Sequence, residues 1–224
     1  MSNGIGVVTW TPGAADLLAA LPAGTGPVVV VDADGSAPPG TTAVPVTERL
    51  ARAAAVDRGV VALPPDVGWV LALDAGVRLR PGALDALRAA AARFPRAAVL
   101  GPRLPGGGAG PLPTRREARR GHLPLGAPRT AGPVGWVSGR CVLLRRSAWE
   151  SVDGYDPRHL GPVDAVDLGD RLARAGWLVV HVPAAEADVV PGPVPGMLET
   201  ERDGLLRYAA DRRRARARAL TGAG

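Results

Sequence analysis

Four consecutive valines, Val28–Val31, constrain this chain more than any other feature. A half-exposed strand alternates apolar and polar residues, so an unbroken β-branched run calls for cover on both faces. That is the position of a central strand in a parallel sheet layered between helices. The run stops at once in Asp32-Ala33-Asp34-Gly35-Ser36, a string of turn formers. Short apolar runs recur at Ile5–Trp10, Trp69–Leu73, Ala97–Leu100, Cys141–Leu144 and Leu178–Val182, with a shorter one at Ala43–Val46. Helical spacing appears between them: Ala14–Leu21, Glu48–Val61 with Thr47 as its cap, a segment opened by Pro81, and Ala165–Ala175. Strands alternating with helices predict a layered α/β domain.

The chain has 224 residues, enough for one domain with a full core. The expected division is a domain over 1–195 and an arginine-rich helix and tail over 196–224, with a break at Pro191–Pro195 and a helix over Leu198–Leu220. All 27 basic residues are arginine and the net charge is +6. A compositional bias toward Ala, Gly, Pro and Arg accounts for this as well as nucleic-acid binding does, so no nucleic-acid partner is expected. The charge still favours anionic partners such as sugar nucleotides or phospholipid surfaces. The single cysteine, Cys141, excludes an internal disulfide and reads as a buried, inert thiol. No apolar run approaches the roughly 20 residues of a membrane span, and the N-terminus shows no signal-peptide pattern. The expectation is a cytoplasmic protein, with peripheral contact at the inner face of a membrane open to the arginines of Arg212–Arg218. Residues 101–134, rich in Gly, Pro and Arg, read as a long loop.

Carboxylates cluster where apolar runs end. Asp32 and Asp34 follow the valines, and Asp74 follows Trp69–Leu73. In open α/β sheets ligands bind at that edge, and a carboxylate there accepts hydrogen bonds from a base or ribose. Each is also an ordinary turn residue. The block Gly135–Trp177 carries Trp136-Val137-Ser138-Gly139, an apolar strand, Gly154-Tyr155-Asp156, and then Asp164-Ala165-Val166-Asp167-Leu168 at a helix start.

This order of motifs closely resembles family 2 glycosyltransferases of the rhamnosyltransferase-like kind, over roughly Gly4 to Pro191. The resemblance implies a single GT-A (nucleotide-diphospho-sugar transferase-like) domain: α/β, with a mixed, mostly parallel sheet flanked by helices. It implies a nucleoside-diphosphate sugar as donor and a glycan or lipid-linked hydroxyl as acceptor. Val28–Ser36 is similar to the family's Val-Val-Asp-Asp-Gly-Ser. Thr9, Asp32, Asp34 and Asp57 are then donor-site residues, with the choice between the two turn aspartates left open. Asp57 stands at the second Asn of a family segment matched by residues 49–59. Trp136, Ser138 and Gly139 would line the acceptor side. Asp74 stands at the first carboxylate of the family's metal-binding Asp-x-Asp and would hold Mg²⁺ or Mn²⁺, but Gly76 replaces the second. The family's Glu-Asp-x-Asp-Leu becomes Asp164-Ala165-Val166-Asp167-Leu168, so Ala165 stands where the base belongs and Asp164 is the replacement. A helix-capping role for Asp164 is the alternative. No His follows the last strand over Glu186–Pro191; His181 reads as packed, and His122 and His159 as isolated loop residues. Besides an active transferase, two readings stay open: a catalytically degenerate relative that binds nucleotide or a protein partner, and an arginine-rich RNA or membrane-surface binder.

Overall fold

The computed structural model describes residues 4–48, 50–190 and 201–221. Strands β1 (Ile5–Trp10), β2 (Val28–Asp32) and β3 (Thr42–Pro45) form the first half of a sheet, with the short helix α1 (Ala14–Ala19) between the first two. Helix α2 (Arg52–Ala62) leads to β4 (Trp69–Leu73) and a short β5 (Val77–Leu79). Helix α3 (Ala83–Arg93) then precedes β6 (Ala97–Arg103). The chain continues through β7 (Ala109–Gly110), α4 (Arg115–Arg120), β8 (Gly132–Val134) and β9 (Trp136–Val137) into β10 (Cys141–Arg145). Helices α5 (Arg146–Glu150) and α6 (Pro162–Arg174), the long strand β11 (Leu178–Val189) and helix α7 (Glu201–Thr221) complete it.

The main sheet runs β3-β2-β1-β4-β10-β6-β11-β5, with β8 also paired to β11. β3, β2, β1 and β4 are mutually parallel, as are β6 and β11; β10 is antiparallel to both of its neighbours. The valine run lies second from one edge of this parallel block, and its register with β1 pairs Val28–Val31 with Val7–Trp10. Alternate strand residues enter two separate cores. Val8, Val29, Val31, Val70, Ala72, Val142 and Leu144 pack on one face with residues of α2, α5 and α6. Ile5, Val7, Leu71, Leu73, Cys141 and Leu143 pack on the other with α1 and α3. Both faces are covered, which is why these strands carry no polar alternation.

Several sequence expectations need correction. Thr47 caps nothing. The chain leaves β3 still bonded to β2, through Val46 N–H to the Asp32 carbonyl at 2.8 Å, and α2 opens only at Arg52 with Ala51 as its N-cap. Residues 101–134 are not one loop. β6 continues to Arg103, α4 opens on a full capping box of Thr114 and Glu117, and β8 pairs with β11. Two local hydrogen bonds at the helix start and a ladder at its far end order a stretch that lacks hydrophobic periodicity. Helix α6 begins three residues before the pattern suggests, because Pro162 suits the first turn and Gly161 supplies the N-cap conformation. Asp164 is therefore inside the helix and is not its cap.

Among the described residues, the end of the chain is fastened to the rest. Leu205 and Tyr208 of α7 are 0% and 1% exposed. They pack with Ala118 of α4, Trp136 of β9, and Val163 and Val166 of α6 in a third, smaller core. The break at Pro191–Pro195, the residues before Glu201 and the boundary at 195/196 lie outside the described residues. No described helix is long and apolar enough to cross a membrane. Leu205→Ala should cost about 2–4 kcal/mol in urea denaturation, the range for a buried leucine whose site only partly collapses; an unchanged midpoint would show that α7 contributes nothing to the fold.

Candidate functional site

The C-terminal ends of β2, β1 and β4 open on one edge of the sheet, where ligands bind in open α/β folds. Asp32 closes β2. Its Oδ1 accepts hydrogen bonds from the backbone of Asp34, Gly35 and Ser36 and from the Thr11 hydroxyl, and its Oδ2 accepts from Ala37. It is 8% exposed. This carboxylate builds the turn, because its lone pairs are given to the loop that follows it. Asp34 is exposed, and its carboxylate accepts from Ser36, whose hydroxyl lies 2.6 Å from its Oδ1 and, with the Ser36 amide, holds the Asp34 carboxyl below its usual range. Of the two turn aspartates, Asp34 is the one presented outward. Thr9 is fully buried, and its hydroxyl donates to the Leu73 carbonyl at 2.9 Å, fastening β1 to β4 beneath the edge.

Asp74, just past β4, is held twice by Arg140. Its amide donates to the Arg140 carbonyl at 2.8 Å, and its Oδ2 accepts from Arg140 Nε at 3.0 Å. Its Oδ1 is buried with no hydrogen-bond partner. Burial raises the Asp74 carboxyl, and the Arg52 and Arg140 guanidiniums pull it back. Arg52, on the first turn of α2, reaches across to the start of α6. There it donates to the Gly161 carbonyl at 2.8 Å and pairs with the Asp164 carboxylate. Gly139 leaves room for this guanidinium, since a Cβ there would lie 2.7 Å from Arg52 Nε. Asp164 is 2% exposed. Burial pushes its carboxyl up, Arg52 opposes this, and the charge of Asp74 adds to the rise. Asp74, Arg52, Arg140 and Asp164 thus form one charged cluster at the strand ends.

A divalent cation at Asp74 would find one protein ligand. The unbonded Oδ1 fits a hard cation, and Mg²⁺ keeps several waters of its own. Gly76 adds nothing: its carbonyl accepts from Val190 N–H at 2.7 Å, and a Cβ there would meet the Val190 carbonyl at 2.9 Å. The end of β11 occupies the space that a second carboxylate needs.

Other predicted residues lie outside this cluster. The Asp57 carboxylate accepts from Trp149 Nε1 at 2.8 Å and from the Tyr155 amide at 3.1 and 3.2 Å, so it fastens α2 to the segment after α5. Trp136 is buried in the third core. Ser138 lies between, its hydroxyl 3.4 Å from the Arg140 amide. Ala165 faces an internal void of about 10 Å³ lined by Val137, Val142, Tyr155, Leu168 and Val179. The side chain turned to Asp74 and Arg52 at the start of α6 is that of Asp164, one position earlier than the family motif implies. Sequence reading missed Arg52 and Arg140. Arg140 follows Trp136-Val137-Ser138-Gly139 directly, which was its one available signal. It also misjudged His159, which is fully buried and 3.6 Å from both Asp167 and Asp211.

The fold is that of a GT-A protein. The chain aligns over 92% of its length with GalNAc-T7, solved with UDP, GalNAc and Mn²⁺, at a TM-score of 0.67 and 12% identity, covering 48% of that chain. It is 37% identical over 178 residues to N-acetylglucosaminyl-diphospho-decaprenol L-rhamnosyltransferase from two strains of Mycobacterium tuberculosis, CDC 1551 / Oshkosh and ATCC 25618 / H37Rv. That match takes in 66% of this chain and 58% of the relatives, so the chain spans under two thirds of their length. No protein-family model matches. The chain has the GT-A fold and is similar over 178 residues to these rhamnosyltransferases.

Ala165→Asp puts an unpaired carboxylate against this apolar void and should destabilise the protein by about 3 kcal/mol or more, the order for an uncompensated buried charge. A neutral change in thermal or urea denaturation would mean that residue 165 opens to the cleft instead.

Proposed function

We propose that the chain transfers a sugar from a nucleoside diphosphate to a hydroxyl of a lipid-linked or cell-envelope glycan, with Asp164 as the general base. The observation that carries this is the convergence of Asp74 and Asp164 on Arg52 at the sheet edge. It brings a diphosphate-side and an acceptor-side carboxylate into one site. The relatives' name, a rhamnosyltransferase acting on a diphospho-decaprenol-linked sugar, supports the acceptor class. The neighbour crystallised with UDP and Mn²⁺ supports the donor class.

In this reading the donor base and ribose lie against the outward-facing Asp34, on the turn that Asp32 holds. A divalent cation at Asp74 would neutralise charge developing on the departing diphosphate. Arg140 and Arg52 add fixed positive charge on the same side, pre-oriented by their bonds to Asp74, Gly161 and Asp164. Thr9 and Asp57 act at a distance, by setting β1 against β4 and α2 against the Tyr155 segment. The Asp164 carboxylate takes the proton from the acceptor hydroxyl as its oxygen attacks the anomeric carbon. A groove of about 560 Å³, lined among others by Arg103, Leu104, Leu125, Arg129 and His181, adjoins Ser138 through Gly108. Its apolar walls and flanking arginines suit an acceptor with an apolar tail and an anionic head. Arg213, Arg214 and Arg218 on the exposed side of α7 fit peripheral contact with an acidic membrane surface.

Uridine or thymidine diphosphate at millimolar concentration should raise the melting temperature, more so with Mn²⁺. Without nucleotide, Mn²⁺ binding at Asp74, read as the difference between the parent and Asp74→Asn, should be weak, because one carboxylate holds the ion there. Asp74→Asn should remove the metal-dependent part of the shift. The absence of a shift with every nucleoside diphosphate would leave the chain a non-catalytic scaffold.

Asp164→Asn should lower transfer by about 10²-fold or more, the usual contribution of a positioned base. The base works deprotonated, and its carboxyl is raised above the ordinary 3.8. Activity should therefore fall as the medium is acidified, along a limb centred above that value, and Asp164→Asn should abolish the limb. Full turnover in Asp164→Asn would assign the base elsewhere.

A further inference from the structure

We infer that His159, Asp167, Asp211 and Asp156 form a second divalent-cation site, of the zinc or manganese type, that shares no residue with Asp74. His159 lies between α5 and α6 and is fully buried, yet neither ring nitrogen has a hydrogen-bond partner. A neutral imidazole left so pays the full desolvation of a donor and an acceptor. What surrounds it is carboxylate. Nε2 lies 3.6 Å from Asp167 Oδ1 on α6 and 3.6 Å from Asp211 Oδ2 on α7. Asp156, His159 and Asp211 each bring a ligand atom within 4.8 Å of the others.

These separations are too long for hydrogen bonds and suit two ligands on one ion. With bonds of roughly 2.0–2.2 Å to nitrogen and oxygen, a tetrahedral edge is about 3.4 Å. The outer oxygens are already tied. Arg171 holds Asp167 Oδ2 at 2.7 Å, and Arg214 holds Asp211 Oδ1 at 3.2 Å. This leaves Asp167 Oδ1 and Asp211 Oδ2 turned to the imidazole. Such second partners are what orient metal ligands elsewhere. Arg158 occupies the remaining side, bonding Asp156 and lying 3.4 Å from Asp211 Oδ2. Its side chain is 60% exposed, and breaking its bonds to Asp156 and turning it into solvent would release Asp156 as the fourth ligand. One imidazole with carboxylates suits Zn²⁺ or Mn²⁺ better than Ca²⁺, which takes an all-oxygen shell. Asp167 follows Asp164 by three residues on α6. The ion would therefore fasten α7 and the Asp156 loop to the helix that carries the proposed base.

The test uses the full chain carrying Asp74→Asn, so that the donor cation plays no part. After chelation and dialysis it is titrated with Zn²⁺ alone, by calorimetry and elemental analysis. One Zn²⁺ per chain is expected, with a raised melting temperature. His159→Gln and Asp211→Asn should each weaken binding by about tenfold or more. Arg158→Ala should bind Zn²⁺ at least as tightly as the parent. If His159→Gln does not fold, Asp211→Asn decides. No stoichiometric Zn²⁺ in the parent, or unchanged affinity in Asp211→Asn, overturns the site. So does a melting temperature that Zn²⁺ leaves unchanged, since the carboxylates then face His159 without an ion between them. Nucleoside diphosphate binding to the unmutated chain is a separate readout, and neither result decides the other.

Discussion

The ion pair between Arg52 and Asp164 joins the two halves of this protein where its chemistry would take place. Arg52 starts the helix that covers the parallel block, and Asp164 lies in the first turn of the helix that follows the acceptor-side segment. Both are largely withdrawn from water, with side-chain exposures of 18% and 2%. Removing one partner of such a pair typically costs about 3–5 kcal/mol, because the other charge stays buried alone. The pair therefore fixes the start of α6 over the strand ends and sets the field around Asp74. Asp74 in turn restrains Arg140, and Arg140 anchors the entry to β10.

Strand positions were legible because burial on both faces leaves a mark that local sequence carries by itself. Val28–Val31 is the clearest case: Val29 and Val31 enter one core, and Val28 packs against the other. Helix ends were less legible, since they depend on partners distant in sequence. Nothing in Thr47-Glu48 shows that Val46 is still bonded to Asp32. Nothing near Pro162 shows that the Gly161 carbonyl accepts a hydrogen bond from Arg52. The stretch 101–134 hid its order for the same reason: β8 exists only because β11 is beside it.

Candidate residues were legible by type and place more than by role. A sequence can put two aspartates at a strand end, but only the folded turn shows that Asp32 is consumed by four backbone amides while Asp34 is left outward. Asp57 likewise matches a ligand-binding position in order, yet its carboxylate is given to Trp149 and Tyr155. The arginines were invisible because a side chain about 6–7 Å long can serve a site from any of several elements. Arg52 and Asp164 are 112 residues apart.

The two departures from the family motif have different physical characters. At Ala165 the missing carboxylate is offset by a neighbour. Asp164 reaches the cluster while the alanine methyl fills apolar space, so the helix start places a carboxylate there one residue early. At Gly76 nothing is offset. Val189 pairs with Val77, and Val190 then bonds the Gly76 backbone, so the chain itself closes the place of the second metal ligand. A cation at Asp74 must draw its other ligands from water or from the diphosphate it serves. In the proposed reaction that would make metal and donor binding mutually dependent, and it would give Arg52 and Arg140 a larger share of the positive charge than a site with two carboxylates would require of them.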